Sequence, residues 1–262
     1  MGVGFFHCEH ALNRSNADSF LERDIWRYAA GSFSACSDSV IQECALDIVV
    51  NGRLYRSMTC SPWDIDELAV GVLYLDGVIS GKEDIERIVV DMHSCRVDVR
   101  DRSHASKRAD RCSRQSVERR FTVAPDEVGA LISLLETQSR LFHRTGGVHS
   151  AVLAGPRGVE AWFEDIGRHS AVDKLVGWCV LNDVDPDDKA LVFSGRVPYE
   201  IVSKVITMGW PLVVSPGAPT SLSIDAARHA DLTLVGFAKQ GRFNVYSHPD
   251  RIRFAPTPAI AC

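Results

Sequence analysis

The stretch Glu164-Asp-Ile-Gly-Arg-His-Ser-Ala-Val-Asp-Lys174 decides how this chain is read. It follows a run that reads as a β-hairpin, and it opens a helix. Beyond it Val172, Leu175, Val176, Cys179 and Val180 recur at helical spacing, with Ala171 on the same side, so the helix has one buried face. Asp165 stands where an N-cap belongs, and Arg168 and His169 fall in the first turn. A helix start presents unpaired backbone N–H groups and partial positive charge, which suits an anion, and Arg168 adds to that bias. The same spacing fits an ordinary capped core helix with a solvated Arg and His, because a cap alone does not separate the two.

Working outward, VHSAVLA, the turn Gly155-Pro-Arg-Gly158 and VEAWFE form the hairpin that leads into this helix. Downstream the order is regular. Strands are expected at 190–195, 211–217, 231–238 and 241–247, with helices at 198–209 and 219–230. Strands that are continuously apolar and alternate with helices predict a mostly parallel sheet covered on both faces. Upstream, ECALDIVV and LYRSMTC flank Asn51-Gly52, a strong hairpin signal. In SPWDIDELAVGVLYLDG, Ser61 is the expected cap and Pro62 the first helical residue. Ile65, Leu68, Ala69, Val72 and Leu73 form the apolar stripe, and Gly77 ends the helix. Strands at 85–91 and 95–101 and a helix at 125–138 complete this part.

The fold class expected is therefore α/β, or α+β taken over the whole chain. Residues 1–40 read as an irregular extension with a short helix around 18–29. Residues 41–142 read as a small α+β domain, 143–255 as the main domain and 256–262 as a loose tail.

The chain has 262 residues, 45% of them apolar, and a net charge of −5, which gives no support for nucleic-acid or membrane-surface partners. No apolar run approaches the roughly 18 residues that span a bilayer. The N-terminus lacks the basic start and apolar core of a secretory signal. Eight cysteines are scattered without a C-x-x-C pair, which points to a reducing cytoplasm.

Residues 100–120 depart from the rest, with eight basic against three acidic residues and no periodicity. They read as a mobile loop. Cys112 lies in it between Arg111 and Arg114. Nearby positive charge favours the thiolate, so the placement fits a nucleophile or a sulfur carrier as well as an ordinary exposed cysteine.

Ligands of open α/β sheets bind beyond the carboxyl ends of the strands. Three loops share that address: Ser194-Gly-Arg196, Ser215-Pro-Gly-Ala-Pro-Thr220, and Phe237-Ala238-Lys239-Gln240-Gly241-Arg242. Glycines let backbone amides approach a ligand, and Arg and Lys hold phosphates. A phosphorylated or nucleotide-like ligand is expected there. Hairpin–helix–strand–helix is also the order of zinc nucleobase deaminases, which need H-x-E and P-C-x-x-C at the two helix starts. Here those places read His169-Ser-Ala and RVPYEIV. Too few zinc ligands remain, so His149 and His169 are expected to serve as hydrogen-bonding groups, with no metal held.

NGR (51–53), MTCSPWDIDELAVGVLYLDGVI (58–79), TGGVHSAVL (145–153), EDIGRHSAVDKLVG (164–177), SGRVPYEIVSK (194–204), APTSLSIDAA (218–227) and LTLVGFAKQGRFNVYSHP (232–249) together resemble the formate dehydrogenase accessory sulfurtransferase family, FdhD/NarQ. The resemblance implies a cytidine-deaminase-like main domain without the zinc site, and a homodimer. It implies a sulfurtransferase that takes persulfide sulfur from a cysteine desulfurase. The recipient is the molybdenum bis(molybdopterin guanine dinucleotide) cofactor of formate dehydrogenase, bound as a substrate. The family's cofactor-binding stretch corresponds to Phe237–Arg242. Its mobile loop carries C-G-x-C-G, where this chain reads RCSRQ. Cys112 takes the first cysteine's place as the persulfide nucleophile, and Gln115 takes the second. A cofactor-holding protein of the same stock, without sulfur chemistry, is the alternative.

Overall fold

The computed structural model describes residues 19–91, 93–100 and 121–253. Among them are three sheets and six α-helices. β1 (Phe20–Ala29) and β2 (Ser32–Ile41) form a two-stranded ribbon. β3 (Cys44–Val50), β4 (Arg53–Cys60), β5 (Ile85–Val90) and β6 (Ser94–Val99) form a four-stranded sheet in the order β4-β3-β6-β5. β7 (His149–Gly155), β8 (Gly158–Asp165), β9 (Ala190–Phe193), β10 (Leu212–Val214), β11 (Thr233–Lys239) and β12 (Arg242–Ser247) form a six-stranded sheet in the order β12-β11-β10-β9-β7-β8. The helices are α1 (Ile65–Leu75), α2 (Pro125–Gln138), α3 (Arg140–Thr145), α4 (Arg168–Leu181), α5 (Tyr199–Met208) and α6 (Ser221–His229).

The period-2 alternation of the strands sorts the core into two layers. Ala151, Leu153, Leu191, Phe193, Val213 and Leu234 leave one face of the six-stranded sheet and pack with α1, α4 and α5. Val152, Ala154, Ala190, Val192, Leu212 and Val214 leave the other face and meet Val128, Ile132 and Leu135 of α2. The four-stranded sheet adds Leu46, Ile48, Cys95 and Val97 to the first layer through α1. α1 is thus held between that sheet and α4. The sequence reading groups α2 with residues 41–142, yet α2 packs on the six-stranded sheet, because its apolar stripe completes that sheet's open face.

α1 and α4 cross with glycine on both sides. A Cβ on Gly71 would lie 1.9 Å from the Asp173 carbonyl oxygen, and one on Gly177 would lie 1.8 Å from that of Glu67. Only hydrogen fits at either position.

Several expectations need correction. Residues 20–41 are a ten-pair antiparallel ribbon turning at Ala30-Gly31, not an irregular stretch with a helix over 18–29. Both faces of the ribbon are largely exposed, with Trp26, Tyr28 and Phe33 open at 74%, 63% and 69%. Strand recognition relies on a buried face and an exposed one, and this ribbon has no such contrast. The six-stranded sheet is mixed: β9-β10 and β10-β11 are parallel, whereas β11-β12, β9-β7 and β7-β8 are antiparallel. A hairpin at one edge and a return strand at the other account for the difference. α1 starts at Ile65 after Asp64, and α4 starts after Gly167, in neither case with a side-chain cap. Ser61 and Asp165, the two expected caps, bond to each other's segments: the Ser61 N–H donates to Asp165 Oδ2 at 3.0 Å, and the Ile166 N–H donates to Ser61 Oγ at 3.1 Å. α3 is a further helix that the pattern does not suggest.

Candidate functional site

The three expected loops meet at the carboxyl ends of β9, β10 and β11. The Ser215 hydroxyl donates to the Gly195 carbonyl at 2.6 Å, and the Val197 N–H donates to the Ala218 carbonyl at 3.0 Å. The Phe237 N–H donates to the Gly217 carbonyl at 3.1 Å, and the Ala238 N–H to that of Ser215 at 3.0 Å. Gly217 is needed here, because a Cβ on it would lie 2.5 Å from the Gly195 oxygen and 2.8 Å from the Arg196 Cα.

The loops differ in what they present. Arg196 is exposed just past β9. Thr220 is the N-cap of α6: its Oγ1 accepts from the Ser223 N–H, and its own N–H donates to Ser223 Oγ. Its hydroxyl is thereby engaged by the helix start. Phe237 occupies an irregular turn of β11 with φ of 50°, which throws its ring half into solvent. Ala238 is fully buried in the α2-side core, and its N–H is spent on the Ser215 carbonyl, so it anchors the turn rather than facing a ligand. Lys239 and Arg242 stand directly opposite each other across Gln240-Gly241, so their side chains leave the same face of the hairpin.

β7 brings in a fourth segment. Its first residue, His149, lies beside Ser194, with Nδ1 3.4 Å from Oγ, while the Ser150 N–H donates to that same Oγ at 2.9 Å. The His149 ring stacks on Phe193. Arg168 and His169 open α4 nearby, and Arg168 Nε donates to His169 Nε2 at 3.3 Å. Burial, and then the Arg168 guanidinium, hold His149 below the usual histidine range. Burial, and then the Lys204 ammonium, do the same for His169. Both imidazoles are therefore neutral near pH 7 and available for hydrogen bonding.

Arg168, Arg196, Lys239 and Arg242 have no carboxylate partner among the described residues. In a chain whose acidic residues outnumber its Lys and Arg by 34 to 29, cations without carboxylate partners around strand-end loops make a rim that an anion would suit. Phosphates and pyrophosphates suit such a rim, with guanidinium forks and the Lys239 ammonium as donors. Among the described residues, no group of three or more His, Cys, Asp or Glu is placed to hold a metal ion, and no helix is long and apolar enough to cross a membrane. Cys112 falls outside the described residues.

Behind the site lies a group of side chains that periodicity does not reveal. Lys174 Nζ lies 2.7 Å from Asp165 Oδ2, with both side chains fully buried. The Gly167 N–H donates to Asp165 Oδ1 at 2.8 Å, and the Trp63 ring lies 5.2 Å from the ammonium. Burial pulls Lys174 below the ordinary lysine range, and the Asp165 carboxylate opposes that shift. Trp63 Nε1 donates to the Glu164 carbonyl at 3.0 Å. The Glu164 carboxyl, half-buried at the α2–α3 junction, is pushed up to about 7 by desolvation, against a hydrogen bond from Ser150. Lys204 pairs with the buried Asp173 on α4. The one sequence signal for this group was a lysine set among apolar residues on a helix.

Residues 41–253 match the FdhD/NarQ family. The sulfur carrier protein FdhD of Bacillus subtilis is 34% identical over 253 residues, covering 88% of this chain and 97% of that protein. The Staphylococcus haemolyticus protein of the same name is 34% identical over 260 residues, covering 91% and 98%. A formate dehydrogenase accessory protein of Desulfotalea psychrophila, known from a crystal structure, superposes with a TM-score of 0.77 at 26% identity, covering 89% of this chain and 99% of that one. With the family matched across both the four- and six-stranded sheets, the chain belongs to the FdhD/NarQ family.

Proposed function

We propose that this protein is a sulfur carrier serving formate dehydrogenase. It takes persulfide sulfur from a cysteine desulfurase and passes it to the molybdenum bis(molybdopterin guanine dinucleotide) cofactor. The observation that carries the reading is its similarity, over 88–91% of the chain, to proteins named as sulfur carriers. The unpaired cations at the strand ends support the cofactor half, since that substrate carries pyrophosphates. The order hairpin, α4, β9, α5 supports a cytidine-deaminase-like main domain without its zinc site. A cytoplasmic homodimer completes the reading.

In the transfer step the Cys112 thiolate attacks the outer sulfur of the desulfurase persulfide. The S–S bond of that persulfide breaks, the desulfurase leaves as its thiolate, and Cys112 holds the new persulfide. The basic residues around Cys112 favour the attacking thiolate. The strand-end loops would hold the dinucleotide through Arg196, Lys239 and Arg242, with Arg168 and His169 at the α4 start.

Mass spectrometry after incubation with a cysteine desulfurase and cysteine tests the reading. One added sulfur on the Cys112 peptide is expected, and Cys112→Ala removes it. No added sulfur, with guanine nucleotide binding intact, would instead make the protein a cofactor carrier without sulfur chemistry. The replacement of the family's second loop cysteine by Gln115 is the observation that favours this second reading.

A further inference from the structure

Away from the strand-end loops, two thiols stand in register. Cys44 opens β3, Cys60 closes β4, and the two are direct partners in the antiparallel ladder. Their Sγ atoms are 3.8 Å apart. Residues opposed in such a ladder have Cα atoms about 4.5–5.5 Å apart, inside the roughly 4.4–6.8 Å range that a disulfide spans. Side-chain rotation with little strand movement is enough to join them. Cys44 is half-buried and Cys60 is fully buried. Cys95 and Cys179 are also buried, and neither has a second sulfur in contact among the described residues.

The surroundings set the order of reaction. Burial pushes the Cys60 thiol well up; Cys44 and the Asp165 carboxylate add to that, and the Lys174 ammonium opposes it. Cys60 is thus a poor first nucleophile, whereas Cys44 is the sulfur that solvent can reach. Among the described residues β4 is the edge strand of its sheet and is paired only with β3. Its last residue precedes Ser61, which grips Asp165 and Ile166 at the approach to α4.

We propose that Cys44 and Cys60 form a reversible oxidation site, converted by a small-molecule disulfide of the glutathione class into an intramolecular disulfide that staples β4 to β3. The Cys44 thiolate attacks one sulfur of the oxidant, whose S–S bond breaks and releases one small thiol. Cys60 then attacks Cys44 Sγ in the mixed disulfide, forming the new S–S bond and releasing the second small thiol. The two cysteine protons go to the departing thiolates, and the two electrons reduce the oxidant. The site does not depend on the sulfur-carrier reading.

The test is oxidation of the full chain with oxidised glutathione, acid quenching, alkylation in denaturant and peptide mapping. The expected result is a Cys44–Cys60 cross-linked peptide, and an intact mass lower by two hydrogen atoms in the fraction that contains it. Reduction by dithiothreitol reverses both. Amide exchange in β4 slows and the thermal midpoint rises by several degrees in the oxidised chain. Cys44→Ser abolishes all of these, leaving Cys60 alkylatable. Cys60→Ala should instead stop at a stable mixed disulfide on Cys44. Should Cys60→Ala not fold, the map of the unmutated chain and Cys44→Ser decide the matter. Recovery of Cys44 and Cys60 as separately alkylated peptides, a lasting glutathione adduct on Cys44 in the unmutated chain, or pairing of either with another cysteine overturns the proposal.

Discussion

The backbones of Gly71 and Gly177 cross with no side chain between them: a Cβ on Gly177 would lie 2.8 Å from the Gly71 nitrogen, and one on Gly71 would lie 3.0 Å from the Gly177 nitrogen. The atoms in the way are main chain, which cannot rotate aside. Gly71→Ala or Gly177→Ala must therefore push α1 and α4 apart, at a cost of about 3 kcal/mol, the upper part of the usual range for overpacking. Urea denaturation measures this directly. The double substitution should cost less than the sum, because one separation relieves both clashes.

The Lys174–Asp165 pair predicts an asymmetry. Lys174→Met leaves Asp165 with two backbone N–H donors, from Ser61 and Gly167. Asp165→Ala leaves a fully buried ammonium with the Trp63 ring, the Glu164 carbonyl at 3.4 Å and only the more weakly acting Glu67 carboxylate and Cys60 to oppose its burial. Removing one partner of a buried pair costs roughly 3–5 kcal/mol, and the aspartate change should sit at the upper end. Equal losses in denaturant midpoint would show that the backbone donors contribute little.

Glu164 sets a pH dependence. Its folded carboxyl titrates near 7, above the ordinary glutamate range, because burial disfavours the charge. The folded state then binds more protons than the unfolded state between about pH 4.5 and 7, so stability falls as pH rises through that window. The loss is of order 2–3 kcal/mol at the top of the window. Glu164→Gln keeps a group able to accept the Ser150 hydrogen bond and should flatten this part of the curve. Thermal unfolding of both proteins across that pH range is the measurement.

Arg196→Ala and Arg242→Ala should each weaken guanine nucleotide binding by about 1.5–3 kcal/mol, as expected for a lost charge-assisted hydrogen bond. Calorimetric titration with GDP at two salt concentrations tests this, and the binding enthalpy gives a readout independent of sulfur transfer. Thr220→Ala should instead lower stability by about 1 kcal/mol through the lost α6 cap and leave nucleotide affinity nearly unchanged.

The parts of this architecture that could be read in sequence are those where burial imposes a period. Leu191, Phe193, Val213 and Leu234 sit in runs apolar enough to declare central strands, and with the strands came the address of the three loops. Ser61 and Asp165 both fit the chemistry of a helix cap, yet neither caps its helix. Their partnership spans 104 positions, and nothing local to either residue indicates it. The ribbon of residues 20–41 gives no inside–outside contrast, so its strands leave no signature. Cys44 and Cys60 are sixteen positions apart, and their closeness depends on the register that the Asn51-Gly52 turn sets. Nothing local to Lys174 announces its role, because its counterion lies nine residues back, on the preceding strand.

The apolar mass that runs from Ile48 through Leu68 and Leu175 to Phe193 has no seam. Either sheet, deprived of α1 and α4, would expose its inner face to water, so neither half has a melting transition to itself. Calorimetry should accordingly record one endotherm, and partial digestion should leave intact chain or small peptides rather than a surviving lobe.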